Sequence, residues 1–69
     1  EQNELVWHRD RKDRTVMILE GEGWMFQRDN ELPTPLSEGD EIEISAFEYH
    51  RIIKGNTDLK IKIKEHSNV

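Results

Sequence analysis

Short runs of alternating apolar and polar residues, separated by turn residues, constrain the fold of this chain more than any other feature. The clearest run, residues 59–64, puts Leu59, Ile61 and Ile63 on one face and three lysines on the other. Residues 41–44 alternate in the same way. A period of two is typical of a β-strand with one buried face. No segment keeps the 3.6-residue period of a helix, so we predict an all-β fold.

About six short strands follow from this pattern and from the turn residues between the runs. The predicted strands are residues 5–7, 15–19, 24–27, 41–44, 49–53 and 59–63. Gly21 and Gly23 predict a hairpin between the second and third of these, and Gly55 with Asn56 predicts a closing hairpin. Residues 28–35 contain two prolines and are predicted as a loop. Strands of this length at regular spacing indicate a small β-sandwich or β-barrel.

The chain of 69 residues is long enough for one domain, which we place at residues 1–64, followed by a polar C-terminal tail at 65–69. Hydrophobic residues make up 33% of the chain, charged residues make up 36%, and cysteine is absent. A small core without disulfides favours support from a second subunit, so we expect a homodimer. The apolar side chains predicted for its interface are Trp24, Phe26, Met17 and Leu19.

The charge balance and hydropathy exclude two classes of partner. The formal net charge is −5, whereas nucleic-acid binding depends on a dense lysine and arginine surface. No apolar run approaches the roughly 20 residues of a membrane helix, and no signal peptide or lipidation motif is recognised. We therefore expect a cytoplasmic protein that binds neither nucleic acid nor membranes. The lysines of residues 59–64 are read as a solvated strand face.

Two stretches, VMILEGEGW and GDEIEISAFEYHRI, resemble the two motifs of the cupin family. The resemblance covers about residues 7–54, which is most of the chain. Cupins are small β-barrels of the jelly-roll type and are usually dimeric. The resemblance implies a small cupin-like barrel or sandwich of antiparallel strands, either closed or open and completed by dimerisation.

The first motif of the family carries two metal-binding histidines, a glutamate and a closing glycine. With Gly21 as that glycine, His8 and Asp10 fall on the histidine positions and Arg14 falls on the glutamate position. A longer spacing, which the family also allows, would instead place Trp7 and Arg9 on the histidine positions.

The second motif opens at Gly39, and its histidine position is occupied by His50 at the family's spacing. Three other positions depart from the pattern: the proline, the glycine and the asparagine are replaced by Ser45, Phe47 and Lys54. The fold is therefore implied more strongly than the family's complete metal centre.

A metal-ligand set of His8, Asp10 and His50 follows from the resemblance. Two imidazoles and one carboxylate suit Mn, Fe, Ni or Zn as the divalent ion and leave open coordination positions. Arg14 opposes such a site, because a guanidinium repels a cation and can pair with Asp10. Both alternatives stay open at this point, a divalent metal as cofactor or no cofactor at all.

A second predicted site is a pocket inside the barrel for a small, anionic molecule, lined by Arg14, Val16, His50 and Ile52. The alternative is that no ligand binds here and that His50 is a core residue, which hydrogen-bonds to Asp10 or to a backbone carbonyl. No Ser/His/Asp set, cysteine nucleophile or phosphate-binding glycine loop can be assembled, so catalysis is left open.

Three functions are compatible with this sequence. The first is a cupin-like domain that binds a small anion without a full metal centre. The second is a metal-dependent isomerase, lyase or dioxygenase that uses His8, Asp10 and His50. The third is a ligand-free β-barrel that serves as a protein-interaction module. His66 lies in the predicted tail and is not assigned a function.

Overall fold

Six β-strands run through residues 5–66, the part of the chain that the computed structural model describes. In chain order they are β1 (Asp13–Glu20), β2 (Met25–Arg28), β3 (Thr34–Pro35), β4 (Glu41–Ile44), β5 (His50–Ile53) and β6 (Lys60–His66). All paired strands are antiparallel, and no α-helix occurs within residues 5–66. The prediction of an all-β fold with about six short strands is confirmed.

The strands form two three-stranded sheets, one with the order β4-β1-β6 and the other with the order β3-β2-β5. No strand of one sheet pairs with a strand of the other, so the sheets are not closed into a barrel. The chain is an open sandwich, which is one of the two architectures that the sequence allowed. The pairs β1–β4, β1–β6 and β2–β5 join segments that are distant in the chain, whereas β2 and β3 are connected by residues 29–33 only.

The two glycine-rich turns do not close hairpins, contrary to the sequence prediction. β1 and β2 lie in different sheets, and so do β5 and β6, so each turn carries the chain across the sandwich. The two turns contact each other, with the Asn56 amide donating to the Glu22 carbonyl at 2.8 Å. A Cβ atom on Gly55 would collide with the backbone of Glu22 and Trp24, so this close approach requires glycine.

Three further boundaries differ from the prediction. Thr34–Pro35 forms a two-residue edge strand inside the predicted loop, a position that proline tolerates because an edge residue needs no amide hydrogen bond on its outer side. Residues 5–7 form no strand, and only His8 makes a bridge, to His50. β6 extends to His66, because Glu65 and His66 pair with β1. The last three residues of the predicted tail lie outside the described residues.

The hydrophobic core lies between the two sheets. Its buried side chains are Val16, Ile18, Phe26, Leu36, Ile44 and Ile52. They enclose a cavity of only about 10 Å³, which is at most the space of one water molecule. His50 is also buried, with 1% of its surface exposed, and it lies at one end of this core.

The four residues predicted for a dimer interface do not share one surface. Phe26 is 4% exposed and belongs to the core of the single subunit, so it is not available to a partner. Trp24 packs against the same core, and its Nε1 donates to the Thr57 carbonyl at 2.7 Å. Met17 and Leu19 alternate with buried residues of β1 and lie on the outside of the other sheet. The homodimer itself stays a prediction.

Candidate functional site

His8 and His50 are brought together by a single antiparallel bridge between the segment before β1 and the start of β5. The His8 amide donates to the His50 carbonyl at 3.0 Å, and the His50 amide donates to the His8 carbonyl at 2.9 Å. Residues paired in this way point to the same side of the sheet. The two imidazole rings therefore meet, with centroids 4.3 Å apart and planes at 66°.

Asp10 brings a carboxylate to the same point. The Phe47 amide donates to the Asp10 carbonyl at 2.7 Å, which holds the segment beside the loop before β5. Asp10 Oδ2 then lies 3.4 Å from Nε2 of His50. One ligand atom from each of His8, Asp10 and His50 lies within 4.8 Å of the other two. This His-Asp-His group can hold a metal ion.

Both imidazoles are oriented by a backbone carbonyl. Nδ1 of His8 lies 2.8 Å from the Val6 carbonyl oxygen, and Nδ1 of His50 lies 2.8 Å from that of Glu48. Because a carbonyl only accepts, each Nδ1 carries the proton, and the lone pair of the neutral ring is on Nε2. Histidine ligands of metals are held in this way, with one ring nitrogen donating to a fixed acceptor.

Asp10 and His50 face each other without a hydrogen bond between Oδ2 and Nε2. Oδ2 of Asp10 is buried and accepts no hydrogen bond within residues 5–66. It faces the lone pair of His50 Nε2, so two acceptors stand 3.4 Å apart. Two neighbouring donors on one ion are separated by roughly 3 Å when each bond is about 2.1 Å. The spacing fits a shared divalent cation.

Arg14 points inward beside this group, because it alternates with Thr15 and shares a face of β1 with Val16. Its Nη2 donates to Oε2 of Glu65 at 2.9 Å and lies 3.4 Å from Oδ1 of Asp10. The guanidinium thus contacts the Asp10 oxygen other than the one that faces His50. Arg14, Asp10 and Glu65 together carry a net negative charge. Glu65 therefore offsets much of the repulsion that Arg14 would exert on a cation.

Two arginine–aromatic contacts hold the segment that carries His8 and Asp10. The Arg51 guanidinium lies 4.9 Å from the ring centroid of Trp7, and that of Arg9 lies 5.1 Å from the centroid of Tyr49. Both contacts cross the His8–His50 bridge on its outer side. Exposed cation–π contacts are each worth about 0.5–1 kcal/mol, so together they favour the bridged arrangement.

The predicted small-molecule pocket is divided by the fold. Val16 and Ile52 are buried in the core, where the cavity of about 10 Å³ has no room for a ligand. Arg14 and His50 lie beside Asp10 and Glu65 at the other end of the interior, which we call the polar end. Ile52 also borders an open groove of about 610 Å³ between the sheets, together with Trp24 and Leu59. The predicted set therefore does not enclose one pocket.

Glu65 belongs to the site although the sequence did not identify it, and His66, to which the sequence assigned no function, lies outside the site. Glu65 was placed in the tail, although the period-two pattern of residues 59–64 continues to it and could have extended the strand. His66 lies on the outer side of β6, where its Nε2 is 2.8 Å from the hydroxyl of Thr15. It is not part of the His-Asp-His group.

Among residues 5–66 there is no helix with the length and apolar character that crossing a membrane takes. Comparison with protein-family models, with curated proteins and with solved structures finds no match for this chain.

Proposed function

We propose that this domain binds a divalent metal ion through His8, Asp10 and His50, as a cupin-like site with three protein ligands. The observation that carries the proposal is the buried Oδ2 of Asp10, which accepts no hydrogen bond within the described residues and faces Nε2 of His50. Both Nδ1 atoms are held by backbone carbonyls, so the Nε2 atoms of the two rings are the ones that would coordinate an ion. A cation satisfies the carboxylate and the imidazoles together.

The donor set indicates which ions fit. Two imidazole nitrogens and one carboxylate oxygen suit Mn, Fe, Ni or Zn better than Ca or Mg, which prefer oxygen ligands. Three protein ligands leave coordination positions for water or for a small molecule. A bound ion would supply Lewis-acid chemistry to an oxygen atom of that molecule. Arg14, next to the site, favours an anionic partner such as a carboxylate.

The cupin-like character is part of the same proposal. The residues that occupy the motif positions come from two distant segments and meet at one end of an open β-sandwich: His8, Asp10 and Arg14 from residues 8–14, and His50 from β5. A chance similarity in two short motifs would not require these side chains to converge. Their convergence supports the shorter spacing of the first motif over the one that selects Trp7 and Arg9.

A second candidate function is binding of a small anion without a metal. It is favoured by Arg14, whose Nε is buried and donates no hydrogen bond within residues 5–66. An anion that reaches this nitrogen would have to enter at the polar end, because the apolar core is filled. Protonated His50 would then share the ligand with Arg14.

Metal binding is tested on protein purified without chelators, by elemental analysis and by calorimetric titration with Zn²⁺, Mn²⁺ or Ni²⁺. We expect one ion per chain and a rise in melting temperature on addition of metal, because a ligand that binds only the folded state stabilises it. Asp10→Asn and His8→Gln should each weaken binding at least tenfold. His66→Gln is the matched control, since it removes a histidine outside the group.

Unchanged affinity in both Asp10→Asn and His8→Gln, or no binding by the wild type, would reject the metal site. The anion alternative is examined in chelated buffer by thermal shift with small carboxylates. A shift that disappears in Arg14→Gln would support it. If neither metal nor carboxylate has an effect, the protein-interaction module becomes the better hypothesis.

A further inference from the structure

On the outer face of the sheet β4-β1-β6, charged side chains form two columns, one along each edge strand. In one row of the sheet, Thr15 of β1 pairs with Glu43 on one side and with Lys64 on the other. In the next row, Met17 pairs with Glu41 and with Lys62. Directly paired residues point to the same face. This charged face, defined by these six residues and Leu19, therefore has an acidic edge, a middle that is neutral at Thr15 and Met17, and a basic edge.

The charges of this face are not paired within the subunit. The side chains on the two outer columns are exposed, and none of the four forms an ion pair within residues 5–66. The columns are two strand spacings apart, roughly 10 Å, which is too far for direct contact. Glu43 accepts a hydrogen bond from the Thr15 hydroxyl at 2.9 Å. A shallow depression of about 320 Å³ lies between the columns, with Thr15 and Met17 at its floor.

We infer that this charged face is the interface of a homodimer whose two-fold axis runs parallel to β1. Rotation about this axis exchanges the two edge strands of the sheet and keeps the position along the strands. β4 of one subunit therefore lies over β6 of the partner subunit. Glu43 then faces Lys64 of the partner subunit, and Glu41 faces Lys62 of the partner subunit. An axis across the strands would instead place acidic columns on acidic columns.

The proposed pairing of glutamates with lysines of the partner subunit depends on the strand register as well as on the opposite charges. Each glutamate and its opposing lysine belong to the same row of the sheet, so every charge on these two rows meets its opposite after the two-fold rotation. Stacked sheets pack about 10 Å apart and turn by about 30°, a spacing that glutamate and lysine side chains span. An isologous contact of this kind is self-complementary, as two-fold symmetry demands.

The middle of the face supplies an apolar centre. Met17 lies on the proposed axis and would contact the partner's Met17. Leu19, 50% exposed, lies beside it at the irregularity of β1. Apolar contacts in the centre and charged groups at the rim are the usual composition of a protein interface. The inference retains two residues of the sequence-predicted interface and replaces Trp24 and Phe26.

Charge reversal tests this arrangement. The variant Glu41→Lys/Glu43→Lys should carry only positive columns, and Lys62→Glu/Lys64→Glu only negative ones. We expect each variant alone to dimerise at least tenfold more weakly than the wild type in analytical ultracentrifugation. Mixed together they should form a one-to-one heterodimer, detected by native mass spectrometry, because each column then meets its opposite. Circular dichroism shows whether each variant is folded.

Two controls reverse the same number of charges elsewhere: Glu22→Lys/Glu38→Lys and Lys12→Glu/Lys54→Glu. Both should dimerise within threefold of the wild type. A wild type that stays monomeric at submillimolar concentration overturns the inference, and so does a folded charge-reversed variant that dimerises normally. Failure of the mixed variants to associate also overturns it. Metal binding is measured on the same samples and is independent, since the His-Asp-His group lies on the inner side.

Discussion

The two ends of the space between the sheets differ in chemistry, although the same strands line both. β1 contributes Val16 and Ile18 to one end and Arg14 to the other, and β5 contributes Ile52 and His50 in the same way. The apolar end is filled, with a remaining cavity of about 10 Å³. Each large side chain buried there contributes about 1.5–3 kcal/mol to folding.

The polar end gains no comparable folding free energy from buried apolar side chains. Oδ2 of Asp10 and Nε of Arg14 are buried without hydrogen bonds within the described residues. A buried polar group left unsatisfied costs about 1–3 kcal/mol, and a domain of this size has little stability to lose. Apolar residues at these positions would fold at least as well. The difference supports the proposal that the polar end serves binding while the apolar end serves stability, and the following variants test it.

Truncation at the apolar end should have the largest effect. Ile18 is 1% exposed, and Ile18→Ala removes packed methyl groups and leaves a cavity, so we expect a loss of about 2–5 kcal/mol in the free energy of unfolding. Urea denaturation followed by circular dichroism measures it. Leu19→Ala, on the outer side, is the matched control and should cost much less. A loss below about 1 kcal/mol for Ile18→Ala would contradict a well-packed core.

Removal of one charge at the polar end should lower the free energy of unfolding by an intermediate amount. Replacement of both Asp10 and Arg14 by apolar residues should not lower it. Asp10→Ala removes one of the two carboxylates that Arg14 contacts, and we expect a loss of about 1–3 kcal/mol in metal-free buffer. Asp10→Leu/Arg14→Met should be at least as stable as the wild type, because apolar groups can replace a buried ion pair. Urea denaturation compares the two. A double variant as unstable as Asp10→Ala would show that the polar end is itself stabilising.

Neutralising Arg14 should change metal affinity more than stability. A guanidinium this close to Asp10 opposes a divalent cation by about 1 kcal/mol or more at an effective dielectric constant near 20, and Glu65 does not cancel this difference because it is present in the variant too. Arg14→Gln should therefore bind Zn²⁺ roughly fivefold to tenfold more tightly in calorimetry. Lys54→Gln removes a positive charge from an exposed side chain outside the His-Asp-His group and serves as the control. Weaker binding by Arg14→Gln would assign Arg14 a supporting role.

The loop beside the polar end should show the smallest effect. Phe47 has a φ of 64°, in the left-handed region where a side chain costs about 1–2 kcal/mol. Phe47→Gly relieves this strain but loses the contact with Arg9, so the free energy of unfolding should change by less than about 1 kcal/mol. Phe47→Val keeps the strain and should be less stable than the glycine variant. Thermal unfolding of the two variants checks the order.

Sequence reasoning located the strands better than it located their partners. The alternation of residues 59–64 correctly predicted β6, and the turns at Gly21 and Gly55 lie where expected. It assigned both turns to hairpins, because glycine shows that a chain can turn and not which strand it will join. The same limitation combined Met17 with Phe26 in one interface, although these residues belong to different sheets. Glu65 was missed because a polar strand end resembles a tail.

The sequence by itself determined the all-β class, and its resemblance to the two motifs suggested His8, Asp10 and His50 as candidate ligands. These features depend on a period of two residues and on spacing within short motifs, both of which are local. Only the tertiary structure decided that β1 and β5 lie in opposite sheets, that His8 bridges to His50 and that Glu65 reaches Arg14. The choice of strand partners depends on the burial and charge of segments distant in the chain, which no local pattern contains.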